Sequence, residues 1–241
     1  MITIEQLHKS FGRNHVLRGI DLDLGEPGIT AVLGPNASGK TTLIKSILGM
    51  VIPDEGNITM NDQSILGEWR YRDQIDYLPQ IARFPENLRV RELIAMIKSL
   101  RSRASREQEL IDFFDIRATL DQRLGHLSGG TRQKVNLVVA FMYDNPLMIL
   151  DEPSAGLDPL AIQRLKSLIF REKGKGKQIL ITTHIMSLVE ELADEIVFLL
   201  EGRIHFRGSL ARLRKLYGEE DVEACIARML DQNQPKIEVG A

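Results

Sequence analysis

The sequence predicts an α/β fold built on a mainly parallel sheet, and three observations predict it. Apolar strand-like runs alternate with helical spacings along most of the chain. One run, Ile29-Thr30-Ala31-Val32-Leu33, leads directly into a glycine-containing loop and then a helix. Another, Leu147-Met148-Ile149-Leu150, ends in two acids, Asp151 and Glu152. Both place polar groups at the ends of buried strands, where sheets of this class bind ligands.

The elements follow in order. Ile2 and Ile4 alternate with polar neighbours, as do Ile20, Leu22 and Leu24, so both segments predict half-buried strands. Leu43, Ile44, Ile47 and Leu48 share a helical spacing, and Gly49 is placed to end that helix. The character changes after Gln80. Leu93, Ile94, Ile97 and Leu100 lie on one helical face, and Ser105 with Gln108 predicts a capping box before Leu110, Ile111, Phe113 and Phe114. Residues 84 to about 130 therefore predict a mostly helical insertion. Strand-like runs return at Leu147–Leu150, Gln178–Thr182 and Ile196–Leu200, the last followed by Glu201-Gly202 and Arg203–Phe206, a predicted hairpin. Val222, Cys225, Ile226 and Met229 mark one face of a C-terminal helix, and the polar stretch from Asp231 is expected to be mobile. The expected division is 1–208 for the main domain and 209–241 for a short helical extension and tail.

Composition excludes several classes. The chain has 241 residues, 43% hydrophobic and 27% charged, as ordinary globular domains do. A net charge of -2 gives no general electrostatic grip on nucleic acid, and no nucleic-acid partner is expected. The single cysteine, Cys225, allows no internal disulfide, which suits the cytosol. The beginning, MITIEQLHKSFG, has no apolar signal core, and no apolar run is long enough to span a bilayer. If the chain works at a membrane, a partner must provide the passage.

Gly34-Pro35-Asn36-Ala37-Ser38-Gly39-Lys40-Thr41, followed by Thr42, matches the P-loop pattern in the context that pattern needs, between a buried strand and an amphipathic helix. Such a loop curls so that backbone N–H groups point at phosphate oxygens, and the helix adds its positive end. Lys40 can reach β- and γ-phosphates, and Thr41 can offer its hydroxyl to Mg²⁺. At the second strand end, Asp151 would help hold Mg²⁺, and Glu152 would orient or polarise the attacking water. Two adjacent acids also occur as plain solvated strand caps, and the P-loop is what makes the functional reading the stronger one.

With these motifs in place, the chain resembles the ABC ATPase family over nearly its whole length. Phe11, in Lys9-Ser10-Phe11-Gly12, resembles the aromatic that stacks on adenine, with Val16 packing nearby. Gln80, in Tyr77-Leu78-Pro79-Gln80, resembles the glutamine that senses Mg²⁺ and the γ-phosphate. Leu127-Ser128-Gly129-Gly130-Thr131 is similar to the signature sequence, and Ser154-Ala155-Gly156-Leu157-Asp158 to the loop that links two sites. His184 resembles the histidine that contacts the γ-phosphate. Singly, each has an ordinary reading: Phe11 as packing, Ser128 as a helix N-cap, His184 as a hydrogen-bonded surface histidine. Their joint occurrence in order carries the resemblance.

The resemblance implies a P-loop NTPase (RecA-like) core with an antiparallel β subdomain and an inserted α-helical subdomain. It implies ATP and Mg²⁺, with Lys40, Gln80, Glu152 and His184 catalytic and Thr41, Gln80 and Asp151 at the metal. Ser128, Gly129 and Gly130 open a helix, a second anion-binding terminus that in the family meets the nucleotide of another subunit. A homodimer, membrane-spanning transporter subunits and a peripheral position at the cytoplasmic membrane face are the implied partners and place. Thr131 stands where the family usually has glutamine, Ala37-Ser38 where Gly-Ala is usual, and Lys134 where arginine is common. Gly156-Leu157-Asp158-Pro159 looks more like export-type or ABC-2-like cassettes. The wording at 75–80 and 128–134 is similar to cassettes associated with copper-site maturation of nitrous-oxide reductase. The rivals are an ABC ATPase of translation or DNA repair, which would carry a second cassette, a long coiled coil or a zinc insertion, and a non-hydrolysing interaction module, against which Glu152 and His184 argue.

Overall fold

Alternating burial drives the first strands together. In the computed structural model, which describes residues 1–233, β1 (Ile2–Phe11) pairs antiparallel with β2 (Asn14–Leu24). With β4 (Glu55–Met60) and β5 (Gln63–Ser64) they form a four-stranded sheet, order β2-β1-β4-β5. The implied antiparallel subdomain is thus present.

The second sheet has six strands. They are β3 (Gly28–Leu33), β6 (Ile75–Leu78), β7 (Leu147–Asp151), β8 (Gln178–Thr182), β9 (Glu195–Leu200) and β10 (Arg203–Gly208). Their order is β10-β9-β3-β8-β7-β6. All neighbours are parallel except β9 and β10, which form the expected hairpin. β3, β7 and β8 are buried at every residue, which is why they are continuous apolar runs: both faces are covered. Alternate residues of β7 serve opposite faces. Leu147 and Ile149 pack with Ile4, Leu22 and Ile58 of the antiparallel sheet, while Met148 and Leu150 pack with Leu165 and Leu168 of a long helix.

The helices are α1 (Lys40–Ile47), α2 (Val90–Ser99), α3 (Glu107–Phe113), α4 (Gly129–Phe141), α5 (Pro159–Gly174), α6 (Met186–Leu192), α7 (Leu210–Tyr217) and α8 (Val222–Asn233). Gly49 ends α1 as expected: its φ is 63°, its N–H donates to the Ser46 carbonyl, and the Met50 N–H donates to that of Lys45. That pair of bonds is the Schellman closure, and the left-handed position favours glycine. α2 and α3, with short turns at Arg117–Thr119 and Leu124–His126, form the expected helical segment before α4. Val222, Cys225 and Met229 of α8 are buried against β9 and α7, as their spacing predicts. Residues 234–241, within the expected tail, lie outside the described residues. Among the described residues no helix is long and apolar enough to cross a membrane.

Two local expectations are corrected. Ser105 and Gln108 form no capping box. α3 begins one residue later than that reading required, with Arg106 at the N-cap, and the Ser105 hydroxyl donates instead to the Glu107 carboxylate. Glu107 draws the hydroxyl because it also pairs with Lys98. Leu100 leaves the apolar face of α2. It is the C-cap, 73% exposed, where the chain turns away from the helix.

Two acids are buried where the helical insertion meets the sheet. Asp76 of β6 accepts from Asn145 Nδ2 at 2.6 Å, and Arg101 lies 3.8 Å away. Burial pushes its pKa up to about 6. The folded chain therefore holds this proton more tightly than the unfolded chain. Its stabilisation is complete below the unfolded value near 3.8 and is lost as pH rises through about 6. We expect wild type to lose more stability than Asp76→Asn between pH 4.5 and pH 7, by about 2 kcal/mol. Urea unfolding at both pH values checks this; equal changes in the two proteins would contradict it. The second acid, Glu172 of α5, is fully enclosed and binds Arg106 and Lys177, each at 2.6 Å.

Candidate active site

The chain leaves β3 at Gly34, whose φ is 149°. A Cβ there would lie 2.0 Å from the Leu199 carbonyl oxygen of β9, so only glycine fits the strand-to-loop exit. The loop then curls over the start of α1. Ala37 adopts φ 63°, the left-handed conformation that a glycine would take without strain. Ser38 is buried; its carbonyl accepts from Gly202 N–H, and its hydroxyl has no partner. Lys40 bends back across the loop and donates to the carbonyls of Gly34 at 2.6 Å and Pro35 at 2.9 Å. Burial lowers its pKa, opposed by the charges of Glu152 and Asp151. The loop is thus held open by its own lysine, around a cavity of about 210 Å³.

The end of β7 supplies the acids, and β8 braces them. Their register sets Asp151 beside Thr182. The Thr182 hydroxyl donates to the Asp151 carboxylate, which keeps that buried acid oriented. The chain turns sharply at Glu152, φ 51°, where its N–H reaches the Thr182 carbonyl at 3.1 Å. This turn swings the Glu152 side chain into the cavity. His184, two residues beyond β8, meets it there with Nε2 3.0 Å from Glu152 Oε1. Burial raises the pKa of Glu152, while His184 pulls it back. A carboxylate so placed can accept a proton from a water molecule.

Asn36 to Thr42, Val16, Gln80, Asp151, Glu152 and His184 all border this one cavity. A hydroxyl, an amide and a carboxylate, from Thr41, Gln80 and Asp151, converge there. Those are hard oxygen donors, the set that Mg²⁺ takes, so the residues present fit that ion. Phe11 does not border the cavity. It is 52% exposed, with Lys9 Nζ 5.4 Å from its ring centre, and Asn14 and Val16 line the wall on that side.

Ser128, Gly129, Gly130 and Asp158 also lie outside the cavity. Ser128 N-caps α4, accepting from Thr131 N–H at 3.2 Å, and its hydroxyl lies 2.9 Å from that of Thr131. Asp158 N-caps α5 and pairs with Lys134 at 2.7 Å, which holds its pKa below the carboxylate range. Gln133 donates to the Pro153 carbonyl at 3.0 Å, and Gly130 packs so close to Gly156 that a Cβ would sit 2.8 Å from its oxygen. The start of α4 and the 153–158 loop are therefore one braced surface. Sequence reasoning did not single out Asn14, Thr182 or Gln133. The parallel pairing of β7 with β8 marks Thr182, but a strand-end threonine carries no signal until that pairing is known.

A second cavity, about 370 Å³, lies beside Gln80 and is bordered by Ile81, Phe84, Glu86, Leu124 and Arg132. Ile81 is 68% exposed there. Leu88 does not border this cavity; like Phe84, it packs against the buried core.

Comparison with known proteins agrees with this geometry. The family model described as ABC transporter matches residues 17–155. The ABC-type transporter ATP-binding protein EcsA of Bacillus subtilis (strain 168) is 32% identical over 228 residues, 92% of each chain. The Nod factor export ATP-binding protein I of Rhizobium sp. (strain N33) is 33% identical over 218 residues, 86% of this chain and 70% of that one. A solved structure described as that of an ATP binding subunit of an ABC transporter superposes with a TM-score of 0.88 at 30% identity, covering 95% of this chain and 99% of the other.

Proposed function

This chain belongs to the ABC transporter family of ATPases, and from that premise we propose that it powers a membrane transporter by pairing two copies around ATP. The observation that carries the reading is a division of labour. Lys40, Gln80, Asp151, Glu152 and His184 meet at one cavity, while the braced helix start at Ser128 lies outside it. The helix N-terminus at Gly129 and Gly130 presents backbone N–H groups that can take an anion, and it borders no part of the Lys40 cavity. A second copy, turned head to tail, brings the nucleotide of each to the Ser128 surface of the other.

In this reading the loop N–H groups of Asn36 to Thr42 take the phosphates and Lys40 exchanges its carbonyl partners for β- and γ-phosphate oxygens. Mg²⁺, held by Thr41, Gln80 and Asp151, would supply neutralisation of phosphate charge. Glu152 aligns water in line with the γ-phosphate, and His184 leaves Glu152 to contact that phosphate. Phe11, with Val16, would cover the adenine by moving from its exposed position. Loss of the γ-phosphate removes the charge joining the two copies, so the pair opens. Asp158, already tied to α4 through Lys134, would carry that change between sites.

The groove at Ile81 and Phe84 would receive the membrane partner, which would hold the chain at the cytoplasmic membrane face. The export-type reading is supported by the likeness to a Nod factor export protein. The narrower likeness to copper-maturation cassettes rests partly on residues with structural work: Asp76 is the buried acid of β6, and Thr131 and Lys134 brace the caps of α4 and α5.

We expect Lys40→Ala to weaken MgATP binding by about 10- to 100-fold, the worth of a charge-assisted phosphate contact of about 1.5–3 kcal/mol. Equilibrium titration with a fluorescent ATP analogue measures it, and an unchanged isotherm contradicts the role. The whole reading is tested by phosphate release from MgATP with the co-purified membrane partner. No binding and no turnover would overturn it.

A further inference from the structure

We propose that His8 and His15 form a two-imidazole clip for a divalent transition-metal ion of the Zn²⁺ type, on the outer face of the β1–β2 hairpin. The two strands hold the rings rigidly. A register shift between Lys9 and Ser10 sets His15 opposite Ser10, diagonal to His8. His8 Nδ1 and His15 Nε2 lie 3.3 Å apart, with ring centres at 5.4 Å and planes 27° apart. Two nitrogens bound tetrahedrally at about 2.0–2.1 Å from one zinc stand about 3.3–3.4 Å apart, so the span matches without strand movement.

The surroundings favour a cation over a plain hydrogen bond. Without metal, one imidazole must donate its proton to the other; with metal, both lone pairs are used. His8 pairs in register with Glu55, and the Asp54 N–H donates to the His8 carbonyl at 2.9 Å. The ammonium of Lys9, the neighbour of His8 in sequence, is bound to Asp54 at 2.7 Å. Arg18, on the same strand as His15 and opposite His8 in the register, has its guanidinium engaged with the His15 carbonyl at 3.0 Å. The His8 ring rests on Gly19, where a Cβ would stand 3.2 Å from Nε2. Among the described residues no group of three or more His, Cys, Asp or Glu is placed to hold a metal. The clip thus offers two ligands, and water completes the coordination. It shares no residue with the cavity of Lys40 and Glu152, and lies on the hairpin that also carries Phe11, Asn14 and Val16.

Calorimetric titration of the full chain with ZnCl₂, with Mg²⁺ in excess, tests the clip apart from ATPase function. One equivalent is expected to bind, weakened about tenfold or more by either His8→Gln or His15→Gln and unchanged by His205→Gln. Ring ¹⁵N spectra of the wild-type protein give a second reading that needs no variant: zinc should shift His8 Nδ1 and His15 Nε2. Wild-type affinity in both variants overturns the proposal. So does unshifted ring nitrogen, or binding that vanishes only with His184→Ala.

Discussion

Glu152→Gln is expected to lower ATP turnover by about 10²–10³-fold while leaving nucleotide binding intact. The substitution keeps the shape and the sharp turn at φ 51° but removes the carboxylate base that takes a proton from water. Losing one preorganised group at a reacting centre typically costs about 3–4 kcal/mol of transition-state stabilisation. Binding depends on other atoms, the loop N–H groups and Lys40, so it survives. The ATP-bound pair should then accumulate, because the γ-phosphate joining the copies is no longer removed. Single-turnover phosphate release gives the rate, and size-exclusion chromatography with MgATP gives the dimer. Wild-type turnover would take Glu152 out of the chemistry. Turnover lost without an ATP-dependent dimer would leave the acid catalytic and remove the pairing model.

Glu172→Gln is expected to destabilise the fold by about 3–5 kcal/mol, a large share of the 5–15 kcal/mol that a domain has. Glu172 is fully enclosed and receives Arg106 Nη1 on one oxygen and Lys177 Nζ on the other. Removing its charge leaves Arg106, itself largely covered, without its counter-ion, and leaves the covered Lys177 with the exposed carboxylate of Asp144 at 2.8 Å. The three residues come from the start of α3, the end of α5 and the entry to β8, so their loss loosens the helical insertion from the sheet. Burial alone would raise the pKa of Glu172, but Arg106 and Lys177 outweigh it and hold the group below the ordinary carboxylate range. Its contribution is therefore present above the unfolded value near 4.5 and lost as pH falls below it. Urea unfolding at pH 7 measures the loss, and repeating it near pH 4 should narrow the gap between the two proteins. A gap under 1 kcal/mol at pH 7 would show that the buried triad adds little.

These two acids illustrate what was legible beforehand. Glu152 stands at the end of an apolar run beside Asp151, so its position in a ligand-binding edge follows from pattern alone. Glu172 lies among other charged residues near the end of a long helix, and nothing in Arg171-Glu172-Lys173 distinguishes it. Its partners are 66 and 5 positions away, and only packing brings them together. The failed capping box has the same origin. Ser105 and Gln108 have the right spacing, but Lys98, from the preceding helix, holds Glu107 where it captures the serine hydroxyl.

The order of strands and helices, the phosphate loop and the acid pair were set by local chemistry: glycine where a backbone must approach, apolar runs where both faces are covered, small polar groups at strand ends. Such signals act over a few neighbours and so are written in the chain. The Thr182 brace on Asp151, the Glu152–His184 contact, the Lys134–Asp158 tie and the paired imidazoles of His8 and His15 were decided by tertiary structure alone. Each joins residues whose separation in sequence carries no periodicity, and each exists because strand register and helix packing fix distances that local preference does not.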